Sequence, residues 1–167
     1  MEFCQWLKSK SWWNMYSKIK KRMENWWMEK NRNMDQTELR YFKKDLSEFD
    51  SPDQPGSGLE NMDLNFVKRL DQARHLTMGT PFKITSGFRS QEYHHELTLM
   101  GYQTAKNSSH LKGLAADIST PDSRSRFKII RALMEVGFTR FGIGKSYLHV
   151  DASPENKKSQ EVCWDYY

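Results

Sequence analysis

The sequence NSSHLKGLAADI, residues 107–118, decides the fold, because it places His110 and Asp117 seven residues apart with Gly113 between them. A glycine interrupts a helix, so the two side chains are not expected on neighbouring turns of one continuous helix. The apolar run after the glycine predicts a short, mostly buried strand from Leu114 to Ile118. The segment therefore predicts a loop that carries a histidine, followed by a strand that carries a carboxylate.

A second histidine lies in the sequence YLHVD, residues 147–151. Alternate side chains of a strand lie on one face, which places Tyr147, His149 and Asp151 together. With the pair above, His149 gives two imidazoles and one carboxylate, the ligand set of a catalytic zinc site whose fourth position is left for water. Zinc in such a site ionises its water near neutral pH and polarises a peptide carbonyl. Spacing alone is also consistent with unrelated surface or core positions.

The rest of the pattern predicts an α+β protein. Asp63 caps a predicted helix that continues to about Thr77, and Thr120 caps a second helix that begins at Pro121. The apolar positions expected on the buried face of the second helix are Phe127, Ile130, Leu133, Met134 and Val136. Strands are predicted around residues 82–85, 114–118, 139–143, 147–151 and 162–166. Helices concentrated early and strands late indicate the α+β class.

The positive charge of the chain is confined to its first 34 residues. The net charge is +5, and residues 1–34 alone carry 8 basic and 3 acidic side chains, so residues 35–167 carry 18 of each and are neutral. This neutrality argues against a nucleic-acid partner. No apolar run is long enough for a transmembrane helix, and two cysteines do not form a disulfide framework.

Residues 1–34 are predicted to form a basic amphipathic helical arm, and residues 35–167 the functional domain. The apolar stripe of the arm repeats at intervals of 4, 3, 4 and 3 residues, through Trp12, Tyr16, Ile19, Met23 and Trp26. Tryptophans beside lysines and arginines suit contact with an anionic membrane surface. Packing on the main domain, on a second copy or on a partner helix is the alternative.

Three motifs in a fixed order resemble the zinc D-Ala-D-Ala carboxypeptidase family. They are Ser86-Gly87-Phe88-Arg89-Ser90, then Ser108-x-His110-x-x-Gly113-x-Ala115-x-Asp117-Ile118, then His149-x-Asp151. The resemblance extends from about Phe42 to the C-terminus, and that family shares its fold with hedgehog signalling domains. It implies a small antiparallel sheet with flanking helices. Two further stretches, residues 48–52 (EFDSP) and Gly101-Tyr102, resemble the versions carried by gokushovirus-type single-stranded DNA phages.

The resemblance assigns roles to individual residues. It implies one zinc ion per chain, bound by His110, Asp117 and His149. It implies that Arg89 pairs with a carboxylate or carbonyl of the substrate, a role that suits a bidentate donor, although a surface ion pair is the simpler alternative. It also implies that Ser108 helps to bind the substrate peptide, unless its hydroxyl only bonds the loop backbone.

The catalytic base is the position at which the resemblance fails. Some family members have a histidine two residues before the last ligand, where this chain has Tyr147, and others an acidic residue three before it, where this chain has Ser146. Asp151 is expected to orient His149 rather than to act as the base. Tyr147 is able to donate to an oxyanion but is a poor base near pH 7. The identity of the base therefore stays open.

The resemblance implies a zinc metallopeptidase that hydrolyses stem peptides of bacterial peptidoglycan, as a carboxypeptidase or an endopeptidase, and that is encoded by a phage. The alternative is a catalytically weak, zinc-stabilised module that binds the cell wall. No apolar stretch of about 7–15 residues follows the charged N-terminus, so no standard secretory signal is predicted. We therefore expect synthesis in the host cytoplasm and action in the periplasm or cell wall, or from the virion.

Overall fold

The computed structural model describes residues 39–166. The chain divides into two compact units, Met1–Glu38 and Leu39–Tyr167, and the predicted arm at residues 1–34 lies outside the described residues. Between residues 39 and 166, no helix combines the length and the apolar content needed to cross a bilayer.

A mixed five-stranded sheet forms the centre of the described unit. Its strands are β1 (Ile84–Ser86), β2 (Ala115–Ser119), β3 (Arg140–Ile143), β4 (Tyr147–Asp151) and β5 (Val162–Asp165), in the spatial order β1-β2-β4-β3-β5. The first three pairings in that order are antiparallel, as expected. The expectation of a purely antiparallel sheet is wrong at β5, which pairs with β3 in parallel. The link at residues 152–161 returns the chain to the end where β3 begins, so both strands run the same way.

Within residues 39–166, four α-helices accompany the sheet: α1 (Ser57–Asn61), α2 (Leu64–Leu76), α3 (Gln91–Leu99) and α4 (Ser123–Glu135). Asp63 caps α2 as predicted, because its Oδ1 accepts the Phe66 backbone N–H at 2.7 Å. The predicted cap of α4 is wrong by two residues. Asp122, not Thr120, accepts the free N–H group of Ser125, at 2.9 Å.

The core lies between one face of the sheet and the helices α2 and α4, which pack against each other. Alternate strand residues enter this core: Ala116, Ile118, Leu148 and Val150. In α4, Leu133 is buried as predicted, but Phe127 and Met134 are exposed, because they lie on the side of the helix turned away from the sheet. The opposite face of β2 and β4 carries Asp117 and His149, so the helices that support the sheet leave the site face open.

A buried carboxylate on α2 holds the beginning of the described unit. Asp71 accepts three successive backbone N–H groups, from Arg40 at 3.1 Å, Tyr41 at 2.8 Å and Phe42 at 3.2 Å. Phe42 then enters the core. We refer to these three bonds as the Asp71 clamp. It fixes the entering chain against α2.

Candidate metal centre and cleft

Three side chains from separate parts of the sequence converge on the open face of the sheet. Asp117 and His149 are direct cross-strand neighbours on β2 and β4, and His110 lies in a 3-10 turn at His110–Lys112, just before β2. Their facing atoms are close together: His110 Nε2 is 3.2 Å from His149 Nδ1 and 3.4 Å from Asp117 Oδ1, which is 2.8 Å from His149 Nδ1. The structure therefore brings together all three ligands predicted from the sequence.

The imidazole of His110 is oriented by a hydrogen bond from its second ring nitrogen, the one that does not face the other two ligands. Its Nδ1–H donates to the carbonyl of Gly87 at 2.6 Å, which leaves Nε2 with a free lone pair toward the other two ligands. The backbone N–H of Arg89 in turn donates to the His110 carbonyl at 3.3 Å. A Cβ at Gly87 would lie 2.5 Å from the Phe49 Cα, so only glycine permits this close approach. The first two sequence motifs are thus physically bonded to each other.

Arg89 contacts a candidate ligand directly. Its Nη2 donates to Asp117 Oδ2 at 2.8 Å, while its Nε donates to the Ser86 hydroxyl at 2.9 Å. The bond to Oδ2 leaves Oδ1 of Asp117 facing the two imidazoles. Arg89 therefore positions the carboxylate of Asp117. It also lines the cleft, in which the sequence resemblance predicts a contact between Arg89 and substrate.

The protonation states of His110 and Asp117 favour cation binding. Burial lowers the pKa of His110, which keeps the imidazole neutral. Burial alone would raise the pKa of Asp117, but hydrogen bonding to His110 and His149 outweighs it and holds this pKa far below its usual range. The site therefore presents an ionised carboxylate next to a neutral imidazole, which is the form in which both groups bind metals.

The donor atoms also have the spacing that zinc requires. Ligands that lie about 2.0–2.1 Å from zinc at tetrahedral angles are about 3.3 Å from one another. The three observed separations run from 2.8 to 3.4 Å. Two nitrogens and one carboxylate oxygen, all buried at the base of a cleft, fit a catalytic zinc ion with one position left for a further ligand.

Comparison with known proteins agrees with this geometry. A family model described as peptidase M15 matches residues 32–151, which include all three candidate ligands and Arg89. The chain belongs to the peptidase M15 family. It is a metallopeptidase with a candidate His-Asp-His zinc site.

A solved structure shows the same fold. The crystal structure of the Serratia marcescens L-Ala D-Glu endopeptidase ChiX matches with a TM-score of 0.51 at 19% identity, over 75% of this chain and 98% of that chain. No curated protein sequence matches the chain. The structural likeness supports the α+β architecture of an M15 peptidase and, at this identity, nothing finer.

The other three residues predicted at the site lie around the metal centre. Ser108 and Tyr147 both line the cleft. Burial raises the pKa of Tyr147, so its phenol stays protonated and able to donate a hydrogen bond. Asp151 also lines the cleft, but its partners are Arg140 at 3.3 Å and Lys158 at 3.2 Å rather than the ring of His149.

Residues 152–166, which we call the C-terminal segment, lie beyond the M15 match and contribute Lys158, Trp164 and Tyr166 to the cleft lining, next to the metal centre. The cleft has a volume of about 890 Å³. Trp164 and Tyr166 stand beside His149, with ring centroids 5.7 and 6.3 Å from the imidazole. We call these two rings and Tyr147, whose ring centroid is 5.7 Å from that of Tyr166, the aromatic wall.

A glycine makes room for this wall. Gly142 lies opposite both His149 and Trp164 in the sheet, and a Cβ there would come within 2.5 Å of the Tyr166 ring. Trp164 and Tyr166 were not predicted as cleft residues. Their alternation in the predicted last strand was the available signal, since it places both on one face.

The C-terminal segment also brings a charged group into the cleft. Lys158 Nζ donates to the Ser109 hydroxyl at 2.7 Å and to Asp151 Oδ2 at 3.2 Å, and Arg140 Nε donates to the same Asp151 oxygen. Burial alone would raise the pKa of Asp151, but hydrogen bonds from Ser153 and the charge of Lys158 hold it below its usual range. No sequence pattern indicated Lys158, because its position depends on the path of the link after β4.

Proposed function

We propose that this M15 peptidase is a zinc enzyme that hydrolyses peptide bonds in the stem peptides of bacterial peptidoglycan. The observation that carries the proposal is the convergence of His110, Asp117 and His149 at the base of the cleft. When bound there, zinc would supply Lewis-acid polarisation of the scissile carbonyl and a water that ionises near neutral pH.

The residues of the chain have separate tasks in this mechanism. Arg89 holds Asp117 through Nη2 and Ser86 through Nε, and the rest of its guanidinium faces the cleft, where it donates to a substrate carbonyl or carboxylate. Ser108 offers a hydroxyl to the peptide backbone, and the protonated phenol of Tyr147 donates to the oxygen on which negative charge develops. The aromatic wall restricts water around the scissile bond.

Two bonds of the stem peptide are candidates. The resemblance in sequence favours cleavage between two D-Ala residues. Cleavage within the stem, as the name of the structurally similar L-Ala D-Glu endopeptidase ChiX suggests, is the alternative. Glu48 to Pro52 and Gly101-Tyr102, the stretches that resemble phage versions, contribute Glu48, Asp50, Pro52, Gly101 and Tyr102 to the cleft lining. A phage origin is proposed on those stretches alone.

A catalytically weak module that binds the cell wall is the second candidate. Apart from Asp117, the carboxylates that line the described cleft are Glu48, Asp50 and Asp151, and each already accepts hydrogen bonds from the protein. A general base needs a free lone pair within reach of the attacking water. The two positions at which some family members carry a base hold Tyr147 and Ser146 in this chain, which favours slow turnover or binding alone.

Mass spectrometry of purified muropeptides after incubation with zinc-loaded protein separates the two candidates. We expect loss of D-Ala or release of a stem fragment, either of which identifies the bond. His149→Ala, incubated in the same way, is the matched control and is expected to leave the muropeptides intact. Binding of muropeptides without any new fragment would reject the peptidase and support the binding module.

The arm at residues 1–34 is proposed to attach the enzyme to anionic membrane surfaces, with action at the cell wall. Its clustered basic residues and five of the six tryptophans of the chain support this. A chain that starts at Met34 is expected to hydrolyse soluble peptides normally and to lose binding to phosphatidylglycerol vesicles. If both chains ignore the vesicles, the proposal of membrane contact fails.

A further inference from the structure

We propose that Lys158 binds a free carboxylate on the substrate residue that follows the scissile bond, and that it thereby selects carboxylate over carboxamide forms of the substrate. The inference rests on the proposed peptidase function. It assigns specificity to the C-terminal segment, which lies beyond the part of the chain that matches the M15 family.

The ammonium of Lys158 is held in the cleft but is not fully used. An ammonium has three N–H donors. Two of them are directed to Ser109 Oγ at 2.7 Å and Asp151 Oδ2 at 3.2 Å, and both of these partners belong to buried residues. The side chain of Lys158 keeps 24% of its surface exposed, and the residue lines the cleft. A third donor therefore remains for a group that enters the cleft.

The local charge favours an anion at this position. Lys158 and Arg140 share the carboxylate of Asp151, so two cations contact one anion at this position. Arg89, the third cation of the described cleft lining, is paired with Asp117 instead. A substrate carboxylate near Lys158 would give its ammonium a second anionic partner, and charge-assisted hydrogen bonds of this kind are among the stronger ones.

Lys158 lies close enough to the metal centre to reach a substrate residue next to the scissile bond. Ser109 directly precedes His110, and Asp151 lies two residues beyond His149 on β4, a distance of about 7 Å along a strand. Lys158 is bonded to both, so its ammonium lies about one or two peptide residues from the ligands. A carboxylate on the adjacent substrate residue is within reach of the four-carbon stem of lysine.

Both candidate substrates carry such a group. The final residue of a D-Ala-D-Ala peptide ends in a carboxylate, and D-Glu in a chain retains one of its two carboxyl groups. Replacing that carboxylate by a carboxamide removes the negative charge and keeps the shape. Loss of one charged hydrogen bond predicts a preference of about tenfold to a hundredfold for the carboxylate form.

The test compares matched peptide pairs that differ only in this group, one pair ending in D-Ala-D-Ala or D-Ala-D-alaninamide, the other containing D-Glu or its carboxamide. Zinc-loaded wild-type protein is expected to favour the carboxylate form of its substrate in kcat/KM. Lys158→Gln should reduce the ratio between the two forms to about one, and Lys158→Arg should retain most of it. Lys157→Gln, which removes the same charge from an exposed neighbour, is the control and should keep the ratio.

An unchanged ratio in Lys158→Gln would overturn the proposal, even if both rates fall together, because equal losses indicate that Lys158 only secures the C-terminal segment. Calorimetric binding of the same pairs to metal-free protein keeps the test independent of turnover. Tighter binding of the carboxylate forms that depends on Lys158 supports the inference even if no bond is cut. Equal affinities would reject the inference and leave the peptidase function to be judged from the muropeptide digest.

Discussion

The two walls of the cleft are built in opposite ways. On the wall formed by β2 and β4, charges are matched within the protein: Asp117 is paired with Arg89 and faces two imidazoles. On the wall formed by the C-terminal segment, Trp164 and Tyr166 stand beside His149, and Lys158 shares the carboxylate of Asp151 with Arg140. The charged groups of the first wall are paired within the protein, whereas Lys158 on the second wall has a hydrogen-bond donor left for substrate. The comparison suggests that one wall performs the chemistry and the other selects what reaches it.

The largest effect is expected when a candidate metal ligand on the first wall is removed. His149→Ala should reduce bound zinc from about one ion per chain to almost none and lower kcat/KM by at least about a thousandfold, because the remaining pair cannot hold the ion. Elemental analysis of the purified protein and a peptide hydrolysis assay measure both. His95→Ala, at an exposed position on α3, is the control. Full zinc content in His149→Ala would refute the site.

Removing the support of a ligand should have a smaller effect on the same wall. In Arg89→Ala, Asp117 Oδ2 loses its guanidinium partner, and we expect zinc affinity or turnover to fall by about tenfold to a hundredfold. Arg89→Lys keeps the charge but not the paired geometry and should recover part of the loss. Zinc titration against a competing chelator, with steady-state kinetics, gives both quantities. Unchanged values would show that the bond from Arg89 to Asp117 supports neither zinc binding nor turnover.

Gly142→Ala tests how closely the second wall is packed. The added Cβ would lie 2.5 Å from the Tyr166 ring and 2.8 Å from Trp164 Nε1, so both rings must move. We expect a loss of about 1–3 kcal/mol in the free energy of unfolding, measured with urea, and a rise in KM. Gly79→Ala, with open space around its Cβ and a φ of +111°, should cost backbone strain alone. A normal KM in Gly142→Ala would show that the wall does not contact substrate.

The smallest effect concerns the ionisation of Tyr166. Partial burial raises its pKa to about 12, although 37% of the residue is exposed. Above pH 10 the unfolded chain releases this proton before the folded one, so stability present below pH 10 should decline as the pH rises toward 12. Urea unfolding at pH 9 and pH 11 should show a smaller decline in Tyr166→Phe than in the wild type. Equal declines would mean that the phenol is ordinarily solvated.

The positions of the candidate metal ligands on β2 and β4 could be predicted, because they follow from the local pattern of the sequence. Strand alternation fixed the face of His149, and the break at Gly113 separated His110 from Asp117. The role of Arg89 beside Asp117 was not predictable in the same way. It depends on the bulged pairing of β1 with β2, which no periodicity in the sequence reports.

The wall formed by the C-terminal segment could not be predicted, because long-range contacts determine its position. The parallel pairing of β5 depends on where the link at residues 152–161 goes, and the same link brings Lys158 to Asp151. The errors in α4 have a local cause. Phe127 and Met134 are apolar but lie outside the buried stripe, and Asp122 competed successfully with Thr120 as the cap.

The Asp71 clamp determines how far the described domain can be shortened from its N-terminal end. Three amide donors satisfy a carboxylate that is 5% exposed, so a chain shortened past Phe42 would leave a buried anion without those donors and remove an aromatic ring from the core. A chain that starts at Met34 retains the whole arrangement. We therefore expect that the shortest stable form of the domain includes the three residues that donate to Asp71. A fusion of this domain to another protein should be joined upstream of Arg40.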